Sequence, residues 1–455
     1  MAAPDSAMLD KPLSSGINVI IVGIGVAGLS AAIECHRKGH SVAVYEKAKE
    51  VKSGDGITIG ANGASVTMKW GDGKYHNMIL PFQYQTNKAK VFDYTGFCFG
   101  EFDLTGYNEG RGYTLNRGAL VSTMYKYAES IGIKVQFNSN VTDYWETEKE
   151  AGIVVNNEKV EADCVICAEG IHSLGRALIT GQEMEIQETG FSASRGYLAS
   201  SLLAEDSNLN QIFHDIKNED CIYGWLGPEV HFSMTPKTQE KEVFWPKERN
   251  QETPSTKDVE IIEHIVKCME DWPVLGQLEP IIRKVTEAKF VSERLAIRKP
   301  LKTWLSPRGR MIVVGDAAHA ALPSSGQGGT QAIEDAAVLA ICLELAGKQD
   351  VPLALAVLEK IRYQRSQIVQ QGGVAVLNFV MKHDDFEGLR KDPASVKPPH
   401  PAWILDHDCQ EYTYRQFHLV ADALRNNKNY VPHNIPTDGI YRMEYNSSNN
   451  NVVNN

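Results

Sequence analysis

Long apolar runs are missing from this sequence. The best candidate, Ala336 to Leu343, is cut off by Glu344, well short of the roughly 18 residues needed to span a bilayer. The first residues do not resemble an export signal. Met1 to Gly16 carries Asp5, Asp10, Pro4 and Pro12 where a signal peptide has a basic start and an apolar stretch. Positive charge is not in surplus: 46 Lys and Arg stand against 57 Asp and Glu, a net charge of −11. That balance argues against a nucleic-acid partner, whose phosphates need a basic surface. The eight cysteines are scattered without framework spacing, as in a reducing compartment. These absences lead us to expect a soluble, cytoplasmic protein with no transmembrane segment.

Cys164 and Cys167 have C-x-x-C spacing but lie within Ala162-Asp-Cys-Val-Ile-Cys-Ala168, a mostly apolar run that reads as a buried strand. With no second pair to complete a zinc site, packing is expected and no metal. The hydrolase and zinc-protease signatures G-x-S-x-G and H-E-x-x-H do not occur, and there are no internal repeats.

What is present begins at Ile17. A β-branched run to Val22 leads into Gly23-Ile-Gly-Val-Ala-Gly28, then a helical stretch from Leu29 to Lys38, then the strand Ser41 to Tyr45 ending in Glu46. Gly23 permits the tight turn, Gly25 lets the backbone approach a pyrophosphate, and Gly28 lets the helix pack closely. The helix start points free N–H groups at the phosphates. Glu46, eighteen residues after Gly28, is placed to accept ribose hydroxyls. This unit predicts a dinucleotide site without separating NAD from FAD.

A second motif separates them. Gly315-Asp316-Ala-Ala-His319 runs through Pro323, Gly326, Gln327, Gly328 and Gly329 to Ala332, Glu334 and Asp335. Asp316, at a strand end, suits the ribityl or ribose hydroxyls. Pro323 gives a rigid wall, and the Gly326 to Gly329 loop brings bare N–H groups to a helix start, where they suit the pyrimidine edge of a reduced, anionic flavin. His319 is expected to pack or hydrogen-bond locally rather than act as a base.

With these motifs the sequence resembles the single-component FAD-dependent aromatic monooxygenases of the salicylate and para-hydroxybenzoate hydroxylase type, from about residue 17 to 420. That family's third signature, usually Asp-Gly after a strand and then Ser and Arg, appears as Ala168-Glu169-Gly170-Ile-His-Ser173 and Arg176, with Glu169 in place of Asp. Its flavin-contacting Arg corresponds to Arg117 in Leu115-Asn-Arg-Gly-Ala-Leu120. The resemblance implies an α/β fold: a Rossmann-like (GR2-type) FAD-binding domain at residues 17–75, 110–182 and 290–372, and a β-rich substrate domain at 76–109 and 183–289. A C-terminal helical region at 373–445 and a disordered tail at 446–455 complete it. It also implies non-covalent FAD, NAD(P)H as transient co-substrate, and O2 delivered through a flavin C4a-hydroperoxide. The second fingerprint that a two-dinucleotide flavin reductase carries for NADPH is missing.

A finer resemblance is to the fungal flavin monooxygenases of indole-alkaloid pathways. It is carried by Val19-Ile-Ile-Val22, Ala31-Ala-Ile-Glu-Cys35, Lys38-Gly-His-Ser-Val42, Trp70-Gly-Asp-Gly73, Ile361-Arg-Tyr-Gln-Arg365 and Trp403-Ile-Leu-Asp-His-Asp408. Those enzymes epoxidise the indole C2–C3 bond, and a semipinacol shift gives a spiro-oxindole. Their active-site Arg and Asp correspond to Arg195 and Asp55. Arg195 would donate to the departing oxygen, and Asp55 would orient Arg195 or pair with a substrate amine. The alternatives are a phenol or salicylate-type hydroxylase and a non-catalytic flavin-binding protein. Trp225, Trp245 and nearby aromatics are compatible with a large apolar substrate.

Overall fold

The strand–turn–helix–strand unit at the start of the chain seeds a parallel sheet. The computed structural model describes residues 13–51, 54, 56–84, 88–104, 106–107, 111–199, 221–228, 230–235, 240–244, 258–284, 291–381, 385–397 and 401–443. Strand β1 (Asn18–Val22) pairs in parallel with β2 (Ser41–Tyr45) on one side and β11 (Cys164–Cys167) on the other. The edges are β7 (Val135–Gln136) and β17 (Met311–Val313), giving the order β17-β11-β1-β2-β7. These strands are apolar runs with helices packed against them, as a parallel sheet requires.

The apolar run noted at Ala336 belongs to the helix Gly328–Ala346, in which every residue from Thr330 to Leu343 is buried. It packs on the helix Val26–Arg37 and on the long helix Val351–Met381. A helix apolar all round belongs in a core; that is why this run is hydrophobic. Among the described residues no helix is long and apolar enough to cross a membrane.

A second, seven-stranded sheet has the order β16-β12-β15-β14-β13-β4-β5. Its members are β4 (Lys88–Asp93), β5 (Cys98–Asp103), β12 (Ile186–Ala199), β13 (Cys221–Gly227), β14 (Val230–Thr235), β15 (Glu240–Phe244) and β16 (Val291–Arg298). The resemblance places a β-rich substrate domain at 76–109 and 183–289. Strand β16 joins the same sheet through antiparallel pairing with β12, from Arg298 back to Val291. The helix Val351–Met381 continues unbroken past residue 372. Two smaller sheets complete the fold: β3 (Gly56–Ile59) with β6 (Tyr113–Asn116), and β8 (Val141–Glu146), β9 (Ala151–Val155) and β10 (Glu158–Ala162). The Lys247 to Lys257 stretch and the tail from 446 lie outside the described residues.

Candidate cofactor and substrate site

The glycine turn is built by close approach. The Gly23 N–H donates to the Tyr45 carbonyl at 2.8 Å, and Gly23 takes a φ of +101° that side chains rarely adopt. A Cβ on Gly28 would lie 1.9 Å from the Gly23 carbonyl oxygen and 3.5 Å from the Ala168 Cβ. Gly28 therefore closes the helix onto the turn itself as well as onto the neighbouring strand. Gly25 is different: a Cβ there would meet nothing within 4 Å. It caps the helix Val26–Arg37 without a side-chain hydrogen bond, and the first turn carries no acid. A helix start without a side-chain cap leaves backbone N–H groups unsatisfied, and the open space beside Gly25 suits an anionic pyrophosphate.

Six of the sequence-predicted residues line one cavity of about 290 Å³: Gly23, Gly25, Glu46, Arg117, Glu169 and Gly170. Glu46 accepts the Ile24 N–H at 3.0 Å with Oε2 and the Ala48 N–H at 2.7 Å with Oε1, so two backbone donors fix its carboxylate. Arg117 opens the helix Arg117–Ser130, whose cap is Asn116: its Oδ1 accepts the Ala119 N–H at 3.2 Å and its amide donates to the Gly54 carbonyl at 2.8 Å. Glu169 turns one oxygen inward. Its Oε2 accepts the Ser173 hydroxyl at 2.9 Å, the Gly175 N–H at 2.7 Å and the Cys167 thiol at 3.4 Å. The side chain thereby organises the turn after β11 while lining the cavity. Cys164 and Cys167 are buried thiols of that strand, and burial pushes both up to about 12.

Asp316, Pro323, Gly326, Gly328 and Gly329 are not part of this lining. Gly315 sits against that helix, since a Cβ on it would meet the Ala27 Cβ at 2.8 Å. The Asp316 side chain is exposed and faces Gly328, where an added Cβ would stand 3.9 Å from Asp316 Oδ1. Arg176 ties the second and third signatures together by donating to the Ala317 carbonyl at 2.7 Å and the Ile171 carbonyl at 3.1 Å. Pro323 opens the turn Pro323–Ser325. The Gly326 carbonyl accepts the Thr58 hydroxyl at 3.2 Å, and Gly329 rests on Ile57 and Ile59 of β3.

Glu334 and Asp335, which close the second motif, serve the core rather than an open site. Both are wholly buried, as are Arg362 and Arg365. Glu334 accepts Arg365 at 2.9 and 3.0 Å and is also paired with Arg362. Asp335 accepts Arg362 Nε at 2.8 Å and the Gly315 N–H at 3.0 Å. His319 Nε2 lies 2.6 Å from Asp335 Oδ2, the local bond its position suggested. Burial alone would push the Glu334 carboxyl up, but Arg365 and Arg362 outweigh it and hold it well below the usual range. The sequence reading missed this cluster. Its signal was the pair Arg362 and Arg365 on one helix face, matched to two adjacent acids.

The seven-stranded sheet has two distinct faces. Tyr223, Trp225, Phe232 and Met234 pack beneath the helices Asp258–Cys268 and Leu275–Lys284. Trp225 is only 3% exposed, its ring 5.3 Å from that of Phe92. This corrects the reading of Trp225 as a substrate aromatic: it is core, and Trp245 lies outside the described residues. The other face carries Val91 and Leu226, which pack with Phe386 and Leu389, while the Arg195 backbone pairs with Phe244 and Val291. In β12, Phe191 and Ala193 pack with Leu322 and Leu377. Asp55 lies outside the described residues.

This chain is 63% identical over 439 residues to the FAD-dependent monooxygenase okaB of Penicillium ochrochloron, covering 95% of this chain and 98% of the relative. A family profile described as an FAD binding domain matches residues 111–371, and another of that description matches 18–74. The chain belongs to the FAD-dependent monooxygenases. A further relative of this monooxygenase is notoamide E oxidase notB of Aspergillus sp. (strain MF297-2), 37% identical over 94% of this chain and 95% of its own. Among solved structures, CtdE in complex with FAD and substrate 4 matches with a TM-score of 0.83 and 39% identity, over 90% of this chain and 100% of that one. FAD is the cofactor, and the open Gly25 and the uncapped helix start give its pyrophosphate a fitting cradle.

Proposed function

We propose that this monooxygenase acts on an indole, epoxidising C2–C3 so that a semipinacol shift gives a spiro-oxindole in fungal alkaloid biosynthesis. FAD, reduced by NAD(P)H, would supply the electrons that activate O2 for transfer of an electrophilic oxygen. The observation carrying this reading is that β12, the strand of Arg195, packs through Phe191 and Ala193 on Leu322, next to the Pro323 turn. A guanidinium there would donate to the departing oxygen as negative charge develops. The indole is supported by the resemblance in the segments quoted above, together with relatives named as a notoamide E oxidase and an asperlicin C monooxygenase.

In cofactor binding, Gly23, Gly25 and Gly28 shape the pyrophosphate cradle and Glu46 takes the ribose. Arg117, Glu169 and Gly170 border the middle of the cofactor with Asp316. Pro323, Gly326, Gly328 and Gly329 receive the flavin ring. Asp55 orients Arg195 or pairs with a substrate amine.

The test uses purified FAD-loaded protein, NADPH and 18O2, with a tryptophan-containing cyclic dipeptide and salicylate as probes. Faster NADPH oxidation with the dipeptide, and one labelled oxygen in its product, supports the indole assignment. Stimulation and labelling with salicylate alone overturns it in favour of a phenol hydroxylase.

A further inference from the structure

The Pro323 to Gly329 loop is gripped by the segment from Thr58 to Asn62. Besides the Thr58 hydroxyl on the Gly326 carbonyl, the Gly60 N–H donates to Thr330 Oγ1 at 3.0 Å. Asn62, 1% exposed, gives its amide nitrogen to two acceptors, Glu334 Oε1 at 2.6 Å and Gln327 Oε1 at 3.2 Å. Gln327, also buried, caps the helix Gly328–Ala346. Its Oε1 takes a further bond from Gln331 at 3.3 Å, and its Nε2 donates to the Tyr107 hydroxyl at 3.2 Å. A continuous polar chain thus runs from Arg362 and Arg365 through Glu334, Asn62 and Gln327 to Tyr107.

One atom in this chain is left over. Asn62 Oδ1 is buried and has no partner among the described residues. A buried acceptor without a donor is costly. Turning the amide over would be worse, because it would set that oxygen against an ionised carboxylate that can only accept. Glu334 is kept ionised by its two arginines, so it dictates which way Asn62 points. Asn62 in turn dictates which end of the Gln327 amide faces it.

We propose that Asn62 and Gln327 are positioning residues for the flavin, through which the buried Arg362–Glu334–Arg365 cluster holds the N–H groups of Gly328 and Gly329 in place. The proposal rests on assigning that loop to the pyrimidine edge of the cofactor, and it is independent of the substrate. Donors fixed at that edge stabilise the reduced, anionic flavin more than the oxidised one. Loosening them therefore weakens binding of reduced FAD more than that of oxidised FAD.

The experiment uses FAD-loaded Asn62→Leu, Gln327→Leu and the milder Tyr107→Phe, which removes only the hydroxyl that Gln327 reaches. The midpoint potential, the visible spectrum, the affinity for FAD and the melting temperature are measured. The expected result is a more negative potential, by about 30 mV for each tenfold preferential loss of reduced-FAD binding, with a smaller shift of the same sign in Tyr107→Phe. If Asn62→Leu does not fold, the other two variants decide. Unchanged potential and spectrum in the folded variants, whether or not melting temperature falls, overturns the proposal. Gly328→Ala tests the loop assignment separately, because its Cβ has room in the protein alone. Unchanged FAD affinity there removes the assignment. Lost affinity there with unchanged potentials in the other variants removes only the relay.

Discussion

Glu46 Oε2 accepts the Ile24 N–H at 3.0 Å, locking the acid at the end of β2 onto the glycine turn. The carboxylate is thus presented to the cavity by a rigid support. Under its proposed role, Glu46→Ala removes that support along with an acceptor for the cofactor. A hydrogen bond to a charged group is worth about 1.5–3 kcal/mol, so FAD affinity should fall about ten- to hundredfold. Titrating apoprotein with FAD and following flavin fluorescence measures this. Wild-type affinity would remove Glu46 from the cofactor site.

Two glycines of the same turn should fail in opposite ways. A Cβ on Gly25 meets nothing in the protein, whereas one on Gly28 sits 1.9 Å from the Gly23 carbonyl. Gly25→Ala should leave the melting temperature of the apoprotein unchanged while weakening FAD binding at least tenfold, because the methyl fills space reserved for phosphate. Gly28→Ala should destabilise the apoprotein itself by about 3 kcal/mol, the scale of overpacking a rigid site. Thermal melts of both apoproteins, with and without FAD, separate the outcomes.

That contrast also marks what could be read from sequence. The turn was legible because everything that defines it is local: three glycines between a strand and a helix, with an acid at the next strand end. The ion cluster was not, since Glu334 and Asp335 meet Arg362 and Arg365 only when two helices pack, and no spacing rule links them. Trp225 was misread for a related reason. Strand alternation tells which residues share a face but not which face the helices cover, and here Ile262, Ile281 and Trp272 cover the tryptophan side. That β16 joins this sheet was not legible either, because it finds its partner, β12, across more than ninety residues of chain.

The ion cluster makes stability depend on acid. Burial would raise both carboxyls, but Arg365 and Arg362 hold Glu334 well below its ordinary 4.5, and His319 and Arg362 hold Asp335 below 3.8. The unfolded chain therefore takes up these protons at higher pH than the folded one. Their stabilisation is complete above about pH 5.5 and is lost as pH falls through 4.5 toward the lower folded values. His407 adds to the trend: burial first, then Arg365, push it well below 6.5, so unfolding is already favoured by proton uptake just below that pH. Melting temperature should decline gently below pH 6.5 and steeply below 4.5. Glu334→Gln should melt lower at pH 7, by the equivalent of about 3–5 kcal/mol for a broken buried pair, and show a shallower acid slope. An unchanged slope would mean the acid sensitivity arises elsewhere.

The last prediction concerns Arg195, whose backbone pairs with Phe244 and Val291. If its guanidinium stabilises the departing oxygen, removing it should slow product formation while leaving cofactor binding alone. Loss of one such donor costs about 10²–10³ in rate. Arg195→Ala should therefore bind FAD normally, accept electrons from NADPH at a near wild-type rate, and release those electrons as hydrogen peroxide instead of product. Asp55→Ala should behave alike if Asp55 orients that guanidinium, and the double variant should then be little worse than either single one. Losses that multiply would instead give Asp55 a separate role, such as pairing with a substrate amine. Product yield per NADPH consumed, with peroxide assayed in parallel, reads all three variants. Undiminished yield in Arg195→Ala would falsify its assignment to oxygen transfer.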